Sequence, residues 1–180
     1  TVSNQDTAVW GVGNYRADVR TQEIGTRIEG AGDVTLSARN DVNARAATVN
    51  STQGALTAIA DRNITIDAGQ ATAGLDEMRH ETKSNTFSSE TRTEHFTTRE
   101  TRAIGSSFGG KTVTLDAGND IRIRGSNVVS DQGTELWAGS DITIEAATET
   151  RNSTTLRQLS QSGVFASGAD LTFGQQEQAA

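Results

Sequence analysis

The sequence predicts an all-β chain: a right-handed parallel β-helix with polar β-hairpin-like excursions. Three observations predict it. A short stretch returns at fixed spacing. The apolar residues within each copy alternate with polar ones. The aromatic content, at 4%, is too low for a wide core and suits a narrow one filled by Ala, Val, Ile and Leu.

The clearest copies are Gly32–Ala44 and Lys111–Ile123; weaker ones are Ala55–Ile66 and Thr134–Ile144. Leu36 matches Ala58 and Val42 matches Ile64, each 22 residues apart. Leu115 matches Leu136 and Ile121 matches Ile142, each 21 apart. Leu36 maps onto Leu115 at 79, and Gln53-Gly54 maps onto Gln132-Gly133 at the same 79. The repeat therefore has two levels, a short unit and a longer module of two units plus an insertion.

Within a unit, Val34, Leu36 and Ala38 lie two apart and share one face of a strand. After a polar corner, Val42 and Ala44 do the same, and a third short strand near 47–49 closes the unit. The expected inward set continues as Leu56, Ile64 and Ile66, then Val113, Leu115, Ile121 and Ile123. It ends with Leu136, Ile142 and Ile144. The corners fall at Asn40-Asp41, Asn119-Asp120 and Asp141, residue types that tolerate left-handed backbone and bond to nearby main chain. A helix does not fit a spacing of two in Thr, Val and Ile. A unit this small cannot bury its own apolar face, and identical positions at fixed offset favour coil stacked on coil, about 4.8 Å apart, over a meander of hairpins.

Taken in order, residues 1–23 form an opening segment with a strand expected near 15–24. Residues 24–69 hold the first pair of coils. Residues 70–109 are a polar excursion and re-entry. From 78 to 102 the core residues all but vanish, and charges fall two apart, as in Arg79, Glu81, Lys83 and Glu90, Arg92, Glu94. Two readings stand for it: a long polar hairpin or a disordered loop. Ile104–Phe108 then matches Ile24–Ile28 at an offset of 80. Residues 110–146 hold the second pair of coils. Residues 147–180 are expected to hold a second excursion, a re-entry over Ser162–Phe173 and a frayed end from Gln175.

Composition excludes several classes. Without Cys there are no disulfides or thiolate metal sites. A net charge of −7 argues against a nucleic-acid partner. No apolar run approaches the ~20 residues of a membrane helix, and no signal peptide is visible. The chain opens in mid-pattern and reads as a fragment of something longer.

The stretches Gly32–Val42, Lys111–Ser130 and Gly133–Gly168 resemble the haemagglutinin repeats of filamentous-haemagglutinin-like exoproteins, including CdiA-type effectors of contact-dependent growth inhibition. The resemblance covers about residues 24–175. It implies a parallel β-helix carried to the bacterial cell surface by an outer-membrane transporter of a two-partner system. It also implies a target-cell surface as partner, and a stalk or delivery role with any toxin domain elsewhere. It brings no catalytic residues and no cofactor.

The residues offer little chemistry of their own. His80 and His95 share the excursion and would bind metal only if the hairpin joined them; solvated polar positions are the plainer reading. The recurring corner aspartates read as turn formers, not as a glycosidase pair. The chain is accordingly expected to be no enzyme. Trp137, flanked by Leu136 and Ala138, should point outward, as should Ile59 one module earlier. The expectation is that the neighbouring excursion folds over this face; a partner- or sugar-binding spot and an incidental exposed aromatic are the alternatives. Open ends of the stack invite end-to-end pairing. The functions expected are a stalk and delivery module, or an adhesin segment that binds a host receptor or glycan.

Overall fold

Short alternating runs rich in Val, Ile and Thr form short strands here, and the polar corners between them turn the chain. The computed structural model describes the backbone of residues 1–167 and 170–179, and side chains through Val164 together with Gln178. It is almost wholly β-strand and contains a curled parallel sheet of the β-helix kind. The chain divides into two units.

The first unit, Thr1–Val2, Thr21–Ala71 and Thr101–Glu149, is the stack of coils. Coil 1 is β3 (Arg27–Gly30), β4 (Val34–Ala38) and β5 (Val42–Arg45). Coil 2 is β6 (Thr48–Ser51), β7 (Leu56–Ala60) and β8 (Ile64–Asp67). The chain then leaves along β9 (Gly69–Ser84) and returns along β10 (Ser88–Ile104). Coil 3 is β11 (Ser107–Ala117) and β12 (Ile121–Arg124); coil 4 is β13 (Asn127–Ala138) and β14 (Ile142–Glu145). β11 spans two faces, pairing with β6 by its first half and with β7 by its second.

Every coil-to-coil pairing is parallel, and equivalent residues stack directly. Leu36 lies on Ala58, Ala58 on Leu115 and Leu115 on Leu136. Val42, Ile64, Ile121 and Ile142 form a second ladder. Ile28, Val49, Phe108 and Val128 form a third. Coils 2 and 3 are thus adjacent although a hairpin separates them in sequence.

The core sits in the middle of the stack. Leu56, Ile64, Ile66, Phe108, Val113, Leu115 and Ile121 are fully buried, and Ile123 nearly so. Val34, Leu36 and Val42 in coil 1, and Leu136 in coil 4, are half-buried against them. Ile142 and Ile144 correct the expectation of inward burial, for they are 46% and 68% exposed. The reason is position: β14 is the outermost strand of its sheet, so among the described residues no coil covers its far side.

One corner needs left-handed backbone. Ala46 (φ 49°) and Gly125 (φ 56°) occupy it in coils 1 and 3, each following an Arg that stacks on Asp67. In coil 2 the hairpin leaves there instead. Ser106 ties its return to its exit. The buried Ser106 hydroxyl donates to the Asp67 carbonyl at 2.7 Å and accepts from the Ala47 N–H at 3.0 Å. A Ser106→Ala variant strands the Ala47 N–H away from water, while the Asp67 carbonyl keeps the Ala46 N–H at 3.3 Å. It is expected to lose about 1–3 kcal/mol of stability in urea titration, with little change in far-UV circular dichroism.

The second unit, Ser3–Arg20, Thr72–Glu100 and Thr150 onward, is built of hairpins. β1 (Val2–Val9) and β2 (Tyr15–Gln22) make the first, turning through Gly11 and Gly13 at positive φ. β9 and β10 make the second. β15 (Thr150–Ser167) and β16 (Asp170–Ala179) make the third, paired antiparallel from Gln158–Ala179 to Ser167–Asp170. The six strands join in chain order. The excursion is therefore an ordered hairpin. The strand expected near 15–24 is β2, which belongs to the first hairpin. Two expectations need correction. Ser162–Phe173 does not re-enter a coil, because its strands pair with each other; the expected fraying of Gln175–Ala179 is likewise replaced by strand pairing, and Ala180 lies outside the described residues.

Candidate functional site

The corners carry the most ordered polar geometry of the coils. Asp41 Oδ1 accepts from the Asn63 N–H at 3.2 Å and from Asn63 Nδ2 at 3.0 Å. Asn63 Oδ1 accepts from the Asp120 N–H at 3.3 Å and from Asn119 Nδ2 at 3.1 Å. Asp120 Oδ1 accepts from the Asp141 N–H at 3.2 Å. Ser140 Oγ donates to Asn119 Oδ1 at 3.0 Å, while Asn40 offers its carbonyl to the Arg62 N–H at 2.9 Å. Each corner side chain satisfies the backbone of the next coil, so the ladder is a hydrogen-bonded relay along the stack. These acids are engaged in turn geometry. Asn63 is the member that the sequence reading missed; it stands 22 residues after Asp41, the same spacing that aligns Val42 with Ile64.

The Arg62 guanidinium beside Asp41 holds its carboxyl below the usual carboxylate range; burial opposes this and the Asn63 donors add to it. Arg45 does the same for Glu23, opposed by burial and aided by the Gln70 N–H. A depressed folded pKa contributes stability above the unfolded carboxylate value of about 4, and that stability is lost as pH falls through the lower folded value. The urea midpoint is thus expected to fall between neutral and strongly acidic pH. Asp41→Asn keeps the oxygen acceptor but removes the titrating charge, so its midpoint should fall less steeply.

The outward face between the corners is mixed. Ser37, Ile59, Asp116 and Trp137 stack in one ladder. Ile59 is 38% exposed and Trp137 62%, and Asp116 separates them. Both side chains are exposed to solvent. A third ladder alternates in charge, as Arg45, Asp67, Arg124 and Glu145, with Arg124 Nε 3.3 Å from Asp67 Oδ1. Like charges never face each other in it.

In the hairpin sheet, ion pairs two residues apart line one face: Arg79–Glu77 at 2.6 Å, Lys83–Glu81 at 3.4 Å and Arg92–Glu94 at 3.0 Å. The two histidines have separate partners. His80 Nδ1 lies 3.0 Å from Thr93 Oγ1, and its N–H donates to Asn14 Oδ1 at 2.6 Å. His95 Nε2 lies 2.7 Å from Asp76 Oδ1, to which the Tyr15 hydroxyl donates at 2.9 Å. The His95 contact holds the Asp76 carboxyl low, against burial, and the Asp76 contact pushes the Tyr15 phenol up. This clasp joins β2, β9 and β10. No local pattern marks it, since its members lie 19 to 80 residues apart. Among the described residues no group of three or more His, Cys, Asp or Glu is placed to hold a metal ion.

Residues 14–94 and 84–179 match the family model described as Hemagglutinin repeat. The chain is 33% identical over 153 residues to "16S rRNA endonuclease CdiA" of Enterobacter cloacae subsp. cloacae, which covers 84% of this chain and 4% of that protein. It is 37% identical over 67 residues to "tRNA nuclease CdiA" of Escherichia coli O6:K15:H31, covering 37% of this chain and 2% of that one. It is 25% identical over 149 residues to "tRNA nuclease CdiA-2" of Burkholderia pseudomallei, covering 83% and 5%. No solved structure matches. The chain thus spans only a few per cent of the length of these relatives.

Proposed function

Since the chain belongs to the hemagglutinin-repeat family, we propose that it is a structural repeat segment of a secreted bacterial surface exoprotein. It serves there as a stalk and delivery module of a contact-dependent growth-inhibition system. The observation that carries this reading is the one-dimensional stack, in which each coil buries the face of its neighbour and length grows by repetition. An outer-membrane transporter exports the whole exoprotein, and the module stands between the producing cell and a target-cell surface. The nuclease activities named for the relatives belong, on this reading, to parts of such proteins outside this segment. The working divisions are the coil pairs at 24–69 and 110–146, with hairpin modules between and after them. The inward residues named above are its core and the Asn/Asp corners its turns.

The test is made in the full-length exoprotein. Excising residues 27–106 removes two coils and a hairpin and joins equivalent corners. Surface display should persist, and inhibition of neighbouring cells should weaken as reach shortens. Inhibition unchanged by the excision would contradict a role in reach, and loss of display would assign the segment to export instead.

The exposed Trp137 favours a second reading, an adhesin segment that binds a host receptor or glycan. A glycan array separates the two. Selective binding that Trp137→Ala abolishes supports the adhesin, and no selective binding supports the stalk.

A further inference from the structure

The clasp of Tyr15, Asp76 and His95 closes into a triangle of ligand atoms. The Tyr15 hydroxyl lies 2.9 Å from Asp76 Oδ1, His95 Nε2 lies 2.7 Å from the same oxygen, and the hydroxyl and Nε2 are 3.4 Å apart. With the imidazole proton on Nε2, one proton from each ring serves the two contacts to Asp76 Oδ1. The third side of the triangle then has no proton of its own. A phenol oxygen there faces an imidazole nitrogen whose donor is directed elsewhere. One cation at the mouth of the triangle would satisfy all three atoms together.

The dimensions suit a transition metal. Nitrogen and oxygen ligands sit about 2.0–2.2 Å from such an ion. At that distance the three separations subtend angles of roughly 80–110°, the range spanned by octahedral and tetrahedral sites. The ion lies outside the plane of its three ligands and keeps its other positions open. The side chains leave it a way in, for Asp76 is 48% and His95 29% exposed. The ligands come from β2, β9 and β10, neighbouring strands of one sheet within one unit, so backbone pairing fixes their spacing before any ion arrives. The charged residues stay clear. Arg16, Glu77 and Glu94 each adjoin a ligand in sequence and so point to the opposite face. On the ligand face the next residues along the strands are Ala17, Gly74, Met78, Thr93 and Thr97, and none carries a positive charge.

We propose that Tyr15, Asp76 and His95 form a binding site for a divalent transition-metal ion, with phenolate, carboxylate and imidazole as its ligands. On binding, the phenol releases its proton to solvent and the imidazole keeps its proton on Nδ1. Asp76 and His95 supply two ligands and the phenol the third, so the site needs no third residue of the His, Cys, Asp and Glu class. Affinity for such nitrogen and oxygen sites peaks at Cu(II) in the divalent series, which makes Cu(II) the probe. The site belongs to the hairpin sheet alone and does not depend on the delivery reading.

The chain has one tyrosine and no cysteine, so a phenolate-to-copper charge-transfer band in the visible can come only from Tyr15. Titrating the whole chain with Cu(II) should raise that band until one ion is bound per chain. Tyr15→Phe should abolish the band. His95→Gln and Asp76→Ala should each weaken Cu(II) binding by about tenfold or more. His80→Gln should leave the band unchanged, since His80 has its own partners in Asn14 and Thr93. Far-UV circular dichroism checks the fold of each variant. Resonance Raman of the parent tests the ligand set without any variant, because phenolate vibrations should appear on excitation in the copper band. A parent without a visible band, a band without phenolate vibrations, or Cu(II) binding that His95→Gln spares and His80→Gln abolishes would overturn the proposal.

Discussion

A Leu115→Asp variant is expected to lose the coil stack altogether. Leu115 is fully buried, held in its ladder between Ala58 and Leu136. Its hydrophobic neighbours offer a carboxylate no donor. Leaving such a charge unpaired in the interior costs several kcal/mol, against a total of about 5–15 for an ordinary domain. The cost is not confined to one coil, because coils 2 and 3 each form half of the other's core. Far-UV circular dichroism and a urea titration check the outcome. The cooperative transition of the stack should vanish. Ser37→Asp, on the outward face, should shift it by no more than about 0.5 kcal/mol.

Phe108→Ala is expected to leave the stack folded but to cost about 3–5 kcal/mol in the same titration. Phe108 is the largest fully buried side chain. It fills a ladder otherwise made of Ile28, Val49 and Val128, so no neighbour is large enough to reach into the hole. It also lies two residues beyond Ser106, where the chain returns from its hairpin. The loss thus falls on the join between the two coil pairs. Phe108→Leu should recover most of it.

The stack was legible in the sequence because its physics is local and repeated. Stacking demands the same residue class at the same place in every coil, so matching Leu36 with Ala58, or Ile121 with Ile142, already names neighbours in space. The match of Ile28 with Phe108 likewise identified where the chain rejoins its coils. Other features lacked such a pattern. Inward alternation cannot say which coil stands last, so Ile142 and Ile144 read as core. The hairpin sheet joins strands of Thr, Ser, Glu and Arg whose register depends on partners many residues away. Tyr15, Asp76 and His95 gave no sign of meeting. The parity of its neighbours sets Trp137 outward. Whether anything covers it is a tertiary question that parity does not reach.

The central claim is that coil 3 lies directly on coil 2 across the inserted hairpin. Disulfide trapping tests it most directly, in a chain with no cysteine of its own. Thr57 and Thr114 are direct partners in the parallel register. Their Cα atoms should lie about 4.8 Å apart, within the span a disulfide bridges. The Thr57→Cys, Thr114→Cys variant should cross-link on mild oxidation of the folded chain and fail to do so in urea. The diagonal pair Thr57→Cys, Asp116→Cys is two residues out of register and should not close. Cross-linking of the diagonal pair alone, or of neither pair, would contradict the stacked coil.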